Sequence, residues 1–145
     1  MAPSVPETAI ALYRKALDLH AGDDIDGALA SAREALQIAP HYADARQYIG
    51  ATLVQRKHSY AVGLAELERA KEDAPDDPAL LYTLGWCSEF VAHRASRRPV
   101  QGIDPLELLA KAEQYLRRCL ELHPEGKLRD DAADLLASII KEDVP

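Results

Sequence analysis

The 145-residue sequence has little that would hold a small protein together by covalent or metal bonds, or place it in a membrane. Its two cysteines, Cys87 and Cys119, lie in apolar helical patterns without a Cys-X-X-Cys or Cys/His cluster, so we expect buried thiols in a reducing compartment. No targeting signal opens the chain, and its longest apolar runs fall far short of the ~18–20 residues that a bilayer span needs. These absences predict a soluble, cytoplasmic protein.

The sequence also lacks an excess of positive charge and recognisable catalytic motifs. The formal net charge is −7, which argues against a nucleic-acid partner because phosphate binding rests on Lys and Arg. The five histidines are scattered without metal-ligand spacing, and there is no glycine-rich phosphate loop, nucleophile elbow or HExxH motif. We therefore expect no catalytic residues, no metal site and no cofactor, and hence no enzyme.

What the sequence does contain is a repeat. Three helical segments carry a small residue near their C-terminal end, and a proline follows it five positions later: Ala35…Pro40, Ala70…Pro75 and Cys119…Pro124. Upstream, another small residue recurs in each unit, at Ala16, Gly50 and Gly85. Two antiparallel helices reach the ~8–10 Å of close packing when small side chains lie at their crossing. Each unit therefore predicts a pair of amphipathic helices that pack through small residues.

Helix boundaries follow from the capping residues and prolines. Asp77-Pro78 and Asp104-Pro105 predict helix starts, and Ser4-Val-Pro-Glu7 is read as a capping box for the first helix. No stretch alternates with the period of a strand. The predicted helices cover about 6–21, 25–38, 42–57, 60–73, 78–96, 105–122 and 127–141.

With this repeat the chain resembles the tetratricopeptide-repeat family, whose unit is 34 residues of helix–turn–helix. The resemblance implies an all-α, right-handed α-α superhelix of about seven antiparallel helices without strands. It divides the single domain 1–145 into repeats at about 9–42, 43–77 and 78–126, followed by a capping helix at 127–141. The third repeat departs from the family by about fifteen extra residues. The matching positions are Ala16/Ala28/Ala32/Ala35/Pro40, Gly50/Gly63/Leu67/Ala70/Pro75 and Gly85/Ala112/Leu116/Cys119/Pro124.

The resemblance further implies a concave groove, lined by the first helix of each hairpin, in which a partner binds. Tyr82, Trp86 and Phe90 recur every four residues and so share a helix face, which fits either this groove or a core beneath the capping helix. Some members of the family clamp the C-terminal carboxylates of heat-shock chaperones with Lys and Asn. Here Tyr13, Leu17, Ala79 and Thr83 occupy those positions. The candidate groove residues are Tyr13, Arg14, Leu17, Gln47, Tyr48, Tyr82, Trp86, Glu89 and Phe90.

The insertion in the third repeat carries Arg94, Arg97 and Arg98, which an extended helix would place on one face. In an acidic protein this is a candidate secondary site for an acidic partner or a phosphate, although a solvated helix end would explain the same residues.

The sequence thus predicts a non-enzymatic scaffold or adaptor that binds an apolar or aromatic peptide or helix. Two alternatives stay open. One is a self-assembling module that uses the groove to form a homo-oligomer. The other, less favoured, is an enzyme or a subunit whose groove binds a small molecule.

Overall fold

Seven α-helices form nearly all of the computed structural model, which describes residues 4–142 except the side chain of Glu142. Each helix begins and ends within two residues of its predicted bounds, and no strand occurs in that part of the chain. The helices are α1 (Glu7–Ala21), α2 (Ile25–Ile38), α3 (Ala43–Gln55), α4 (Tyr60–Asp73), α5 (Pro78–Arg97), α6 (Pro105–Glu121) and α7 (Gly126–Glu142).

Small residues bring the two helices of each hairpin together, as the repeat predicts. In the second hairpin a Cβ atom on Gly50 would lie 2.8 Å from the Gly63 carbonyl oxygen, and one on Gly63 would lie equally close to the Gly50 oxygen. Only glycine at both positions allows this backbone approach. In the third hairpin a Cβ atom on Gly85 would lie 2.6 Å from the Leu116 side chain and 3.4 Å from the Ala112 carbonyl oxygen, so the space left by Gly85 is filled by Leu116.

The hairpins stack in chain order, and α7 covers the last of them. The backbones of α3 and α5 approach each other closely, as do those of α5 and α7, whereas the second helices of successive hairpins lie further apart. A stack whose first helices are the closer set curves towards them. Helices α3 and α5 therefore lie on the inner side of the curve, and α4 and α6 lie on the outer side. Helices α1 and α2 extend these two rows, and α1 meets α3 through side chains, Tyr13 on Tyr42 and His20 on Tyr48, rather than through close backbone approach.

All three predicted helix starts lie within two residues of the observed ones, but only two of the three predicted side-chain caps form. Asp77 accepts a hydrogen bond from the Ala79 N–H at 3.0 Å, and Asp104 accepts from the Leu106 N–H at 3.1 Å. The capping box at Ser4 does not form, because α1 begins only at Glu7 and its N-cap is Pro6, whose side chain makes no capping bond. The Pro6 carbonyl oxygen accepts the first helical N–H bonds instead.

One buried charge distinguishes the second hairpin from the others. Arg46 occupies the position held by Leu12 and Leu81 in the other repeats, and it is 7% exposed. Its guanidinium lies 2.9 Å from the Glu66 carboxylate and donates to the Pro40 carbonyl oxygen at 3.0 Å. The ion pair therefore ties α3 to α4 and to the turn that precedes α3, where the other repeats use apolar packing.

The insertion in the third repeat has two parts. It lengthens α5 to 20 residues, against 15 in α1 and 13 in α3. It also adds the connection 98–104, in which Gly102 has a positive φ of 81° and Ile103 packs against the core of the second and third hairpins.

Candidate functional site

An aromatic cluster lies on α5 where it faces α3 and α4. The rings of Trp86 and Phe90 stack with centroids 5.8 Å apart and planes 16° from parallel. Tyr60, at the start of α4, meets Phe90 edge-on at 6.3 Å, and the Arg94 guanidinium lies over the Phe90 ring at 5.1 Å. All three rings are half-buried, with part of each packed against the apolar core. We call Tyr60, Trp86 and Phe90 the aromatic cluster.

Tyr82 does not belong to this cluster, although it was predicted to share a face with the other two rings. Each step of four residues turns ~40° around a helix, so Tyr82 and Phe90 point ~80° apart. Tyr82 instead packs against the core formed by α5, α6 and α7. The pKa of Tyr82 is raised, first by burial and then by the negative charge of Asp131 on α7. The aromatic residues of α5 therefore have different neighbours: Trp86 and Phe90 lie beside Tyr60 of α4, whereas Tyr82 packs against α6 and α7. Each ring packs partly on the core and stays partly accessible.

Polar bonds fix the candidate groove residues of α3. The Gln47 side-chain amide donates to the Thr83 hydroxyl at 2.9 Å, which links α3 directly to α5. The Tyr48 hydroxyl lies 2.9 Å from His20 Nδ1, which links α3 to the end of α1. Burial raises the pKa of Tyr48. These bonds hold the inner helices in register, so Gln47 and Tyr48 have a structural role whatever else they contact.

The candidate residues of α1 lie at the other end of the inner surface. Tyr13 meets Tyr42 edge-on at 5.4 Å, whereas Arg14 is exposed and Leu17 is 42% exposed, which is high for a leucine. Burial raises the pKa of Tyr13, and the next cause is the charge of Asp44. Sequence reasoning missed Tyr42, which immediately precedes α3 and is buried beneath Tyr13.

An acidic group lies beside these tyrosines. The pKa of Asp44 is raised, first by desolvation and then by the negative charge of Asp77. The inner surface is thus acidic where α3 and α5 begin. It is basic where the longer α5 ends.

The basic patch, formed by Arg94, Arg97 and Arg98, has only part of the geometry that the sequence predicts. Arg94 covers Phe90, and Glu89 and His93 pair with each other at 2.8 Å one turn earlier. Helix α5 ends at Arg97, and Arg98 has an extended backbone with φ −145°. The prediction that all three arginines share one helical face is therefore wrong, because Arg98 lies past the helix end. Both Arg97 and Arg98 are exposed.

The described residues also bear on metal, membrane and thiol chemistry. No group of three or more His, Cys, Asp or Glu in residues 4–142 is arranged to hold a metal ion. None of the helices seen there combines the length and apolar composition needed to cross a bilayer. Both cysteines are buried as free thiols, and burial raises the pKa of Cys87 to about 12, so this thiol stays protonated at neutral pH.

Comparison with known proteins identifies the fold. No protein-family model matches the sequence. A TPR repeat-containing protein of Pseudomonas aeruginosa is 27% identical over 123 residues, which cover 85% of this chain. The first TPR of Spaghetti (RPAP3), bound to the HSP90 peptide SRMEEVD, superposes with a TM-score of 0.73 at 17% identity, covering 94% of this chain and 93% of that one. The chain has the tetratricopeptide-repeat fold.

Two other solved structures resemble the chain as closely. The type III secretion chaperone SycD of Yersinia enterocolitica, in complex with a peptide of the translocator YopD, superposes with a TM-score of 0.72 at 15% identity and covers 94% of this chain and 95% of its own. An alternative dimer of SycD gives a TM-score of 0.73 at 18% identity, with coverage of 96% and 97%. The chain spans only 18% of the length of the Pseudomonas protein.

Proposed function

We propose that this tetratricopeptide-repeat chain is a non-enzymatic interaction module that binds an apolar or aromatic peptide or helix on its inner, concave surface. The aromatic cluster is the observation that carries the proposal. Trp and Tyr dominate the energetics of protein interfaces, and a half-buried stack presents a rigid surface that loses little entropy on binding. The SycD complex with a YopD peptide and the RPAP3 complex with an HSP90 peptide support peptide binding as a use of this fold.

The chemistry of the inner surface favours a different peptide from the acidic one bound by RPAP3. Lys and Asn are absent at the four clamp positions, where Tyr13, Leu17, Ala79 and Thr83 stand instead. Asp44 lies beside Tyr13 with its pKa raised by burial and by Asp77. A carboxylate bound there would meet the like charge of Asp44, and the nearby cation Arg14 does not stand at any of the four clamp positions. We therefore propose a partner segment that is apolar or aromatic at its centre.

The basic patch supplies the second contact of the proposal. Arg94 packs on Phe90, so it lies at the edge of the aromatic cluster, and α5 continues from there to the exposed Arg97. An acidic residue of the partner that follows its apolar segment would reach these guanidinium groups. Charge-assisted bonds of this kind set the orientation of a bound peptide more than they set its affinity.

The test uses Trp86, the only tryptophan of the chain, as a reporter within the site. Random peptides displayed on phage are selected on the wild-type chain, and their binding is then followed by Trp86 fluorescence. We expect apolar or aromatic sequences that shift the emission to shorter wavelength, because a bound peptide removes water from the indole ring. Selected peptides that leave the emission unchanged would place the binding surface elsewhere.

Variants localise the binding. Peptides selected on the wild type should bind the Trp86→Ala/Phe90→Ala double variant more weakly by roughly 2–4 kcal/mol, the range of interface hot spots. Binding to this variant is measured by isothermal titration calorimetry, because the variant lacks the Trp86 reporter. Leu106→Ala is the matched control, since Leu106 is 79% exposed at the start of α6 and lies far along the chain from the cluster. Equal loss in both variants, each checked for native circular dichroism, would refute the assignment.

Self-assembly through the same surface is the alternative function, and sedimentation of the same variants tests it. A homo-oligomer would bury the aromatic cluster at high protein concentration without any added peptide. Sedimentation velocity on the wild type and the double variant separates the two uses, because only a groove-mediated oligomer dissociates when Trp86 and Phe90 are removed.

A further inference from the structure

A cavity of about 290 Å³ lies on the side of α5 opposite to the aromatic cluster, between α4 and α6. Its floor includes Ser88, which is two residues from both Trp86 and Phe90 and so points ~200° away from them around the helix. The volume is at the lower end of the ~300–1,000 Å³ typical of small-molecule pockets. The cavity is therefore separate from the proposed groove and faces the outer side of the stack.

Two departures from the repeat open this cavity. Ser88 stands three residues after Gly85, and the corresponding residues of the first and second repeats are Leu19 and Leu53. Replacing leucine by serine removes side-chain volume from the space between the helices. The inserted connection then adds a wall to the same space with Gly102, Ile103 and Asp104.

The hydroxyl of Ser88 has no protein partner. Ser88 is 1% exposed, and its side chain makes no hydrogen bond or ion pair with any residue of the range 4–142. Among these residues no side-chain nitrogen or oxygen sealed from solvent lacks a hydrogen bond. The Ser88 hydroxyl therefore opens into the cavity, where it can bond to a ligand. A buried polar group without a partner costs free energy, so a ligand that satisfies it gains affinity.

The rim of the cavity is acidic and its interior is apolar. Glu68, Asp104 and Glu107 line it against a single cation, Lys111. Glu68 accepts a hydrogen bond from the Tyr115 hydroxyl and pairs with Lys71 at 3.5 Å, and Asp104 caps α6. The charge left for a ligand is that of Glu107, which is exposed and has no side-chain partner in the described part of the chain. The apolar lining is formed by Ala61, Leu64, Ala65, Leu84, Ile103 and Leu108.

The corresponding cleft one repeat earlier differs in each of these respects. Between α2 and α4 a cleft of about 280 Å³ has Leu53 at the position of Ser88. Its charged lining residues are Arg33, Arg46 and Glu66, so it is basic rather than acidic, and no inserted loop closes it. The fold leaves room between outer helices at both places, but only the α4–α6 cavity combines an open hydroxyl with an acidic rim.

We propose that the α4–α6 cavity binds a small organic amine. The apolar body of the amine packs on Leu64, Leu84 and Leu108, its ammonium group lies at the rim beside Glu107, and a polar group at its far end bonds to the Ser88 hydroxyl. The same chemistry is presented by a free amine and by a lysine side chain of another protein. The proposal does not depend on the inner groove.

Three probes of matched shape test the charge preference. Tyramine, tyrosol and 4-hydroxyphenylacetate share a phenol and differ in carrying an ammonium, a hydroxyl or a carboxylate. Titrations followed by amide chemical shifts should show tyramine binding with shifts centred on the cavity lining, tyrosol more weakly by several-fold, and the acid least. Equal binding of the three, or shifts centred elsewhere, would overturn the proposal. N-acetyl-lysine methylamide is the fourth probe, and its binding relative to tyramine identifies whether a side chain or a free amine is the better source.

Variants test the site itself. Ser88→Leu restores the residue of the other repeats and should fill the cavity, abolishing tyramine binding while the chain keeps its circular dichroism. Ser88→Ala should weaken binding about 2- to 10-fold, from the net value of one hydrogen bond, and Glu107→Gln by up to about 5-fold. If Ser88→Leu does not fold, Ser88→Ala and Glu107→Gln test amine binding in the cavity on their own.

Two controls complete the experiment. Glu72→Gln removes an exposed carboxylate of α4 that does not line the cavity and should change nothing. Ile140→Ala, which truncates a partly exposed side chain of α7 away from the cavity lining, should also leave tyramine binding unchanged. Wild-type affinity in both Ser88→Ala and Ser88→Leu would show that the cavity does not bind the amine.

Discussion

Removing the Phe90 side chain tests the packing of the aromatic cluster directly and keeps Trp86 as its reporter. Phe90 stacks on Trp86, meets the edge of Tyr60 and lies under Arg94. Fully buried Phe→Ala substitutions cost ~3–5 kcal/mol, and Phe90 is half-buried, so packing accounts for roughly half of that. Part of this cost is the loss of two aromatic pairs, each worth ~0.5–1.5 kcal/mol. We expect Phe90→Ala to lower the free energy of unfolding by about 2 kcal/mol.

The assay is urea unfolding followed by circular dichroism and Trp86 fluorescence. For a domain of this size a loss of about 2 kcal/mol corresponds to a fall in Tm of roughly 5–8 °C. The native emission of Trp86 should also move to longer wavelength, because the ring that covers one face of the indole is gone. Leu106→Ala, which truncates an exposed side chain, should stay within ~0.5 kcal/mol of the wild type.

Two results would refute this reasoning. If Phe90→Ala and Leu106→Ala are equally stable, Phe90 does not pack as described and cannot form a rigid binding surface. If stability falls but the Trp86 emission is unchanged, the two rings are not stacked in solution. A peptide selected on the wild type should lose at least about 2 kcal/mol of binding to Phe90→Ala, the hot-spot threshold, and unchanged affinity would show that the cluster is structural only.

Three further predictions concern stability. Arg46→Leu should cost roughly 1–3 kcal/mol in urea unfolding because it leaves Glu66 with only the longer ion pair to Arg69 at 3.8 Å, and the Arg46→Leu/Glu66→Leu variant should recover most of this loss. Strictly additive losses would show that the pair is not coupled. Gly50→Ala should cost about 1–3 kcal/mol, since its Cβ would meet the Gly63 carbonyl oxygen at 2.8 Å, and a neutral effect would contradict the close crossing. The thiol of Cys87 ionises near pH 9 when unfolded but at a pKa of about 12 when folded, so its contribution to stability is complete below pH 9 and declines above it. The alkaline loss should shrink in Cys87→Ala, and an identical pH profile would refute that assignment.

The sequence was sufficient to predict the fold because the signals that define it are local. Pro40, Pro75 and Pro124 end their hairpins, and the small residues at the crossings recur at a nearly fixed period, so both the helices and their pairing could be read without the structure. Ser4 shows the limit of this reading. Its spacing to Glu7 matches a capping box, but the helix begins after Pro6, and the three-residue spacing does not encode that shift.

The division of the α5 aromatic residues could not be predicted from spacing alone. A period of four places Tyr82, Trp86 and Phe90 on one broad face, and which neighbour each ring meets depends on how far α7 extends over α5. That depends in turn on contacts between residues more than forty positions apart. Arg98 is a different case, because the sequence does hold the signal that the spacing of the arginines hides: Arg98 precedes Pro99, which disfavours a helical backbone at the residue before it, and α5 therefore ends at Arg97.

Ser88 shows where a break in the repeat carried more information than its regular positions. A serine at a leucine position of a helical repeat can be read as a weakened core, and Arg46 at another leucine position invites the same interpretation. The structure distinguishes them by their partners: Arg46 is satisfied by Glu66 and Pro40, whereas the Ser88 hydroxyl meets a cavity walled by the insertion. Because the serine and the insertion occur in the same repeat and line the same space, a ligand for that space explains both departures, while poor packing explains only the first.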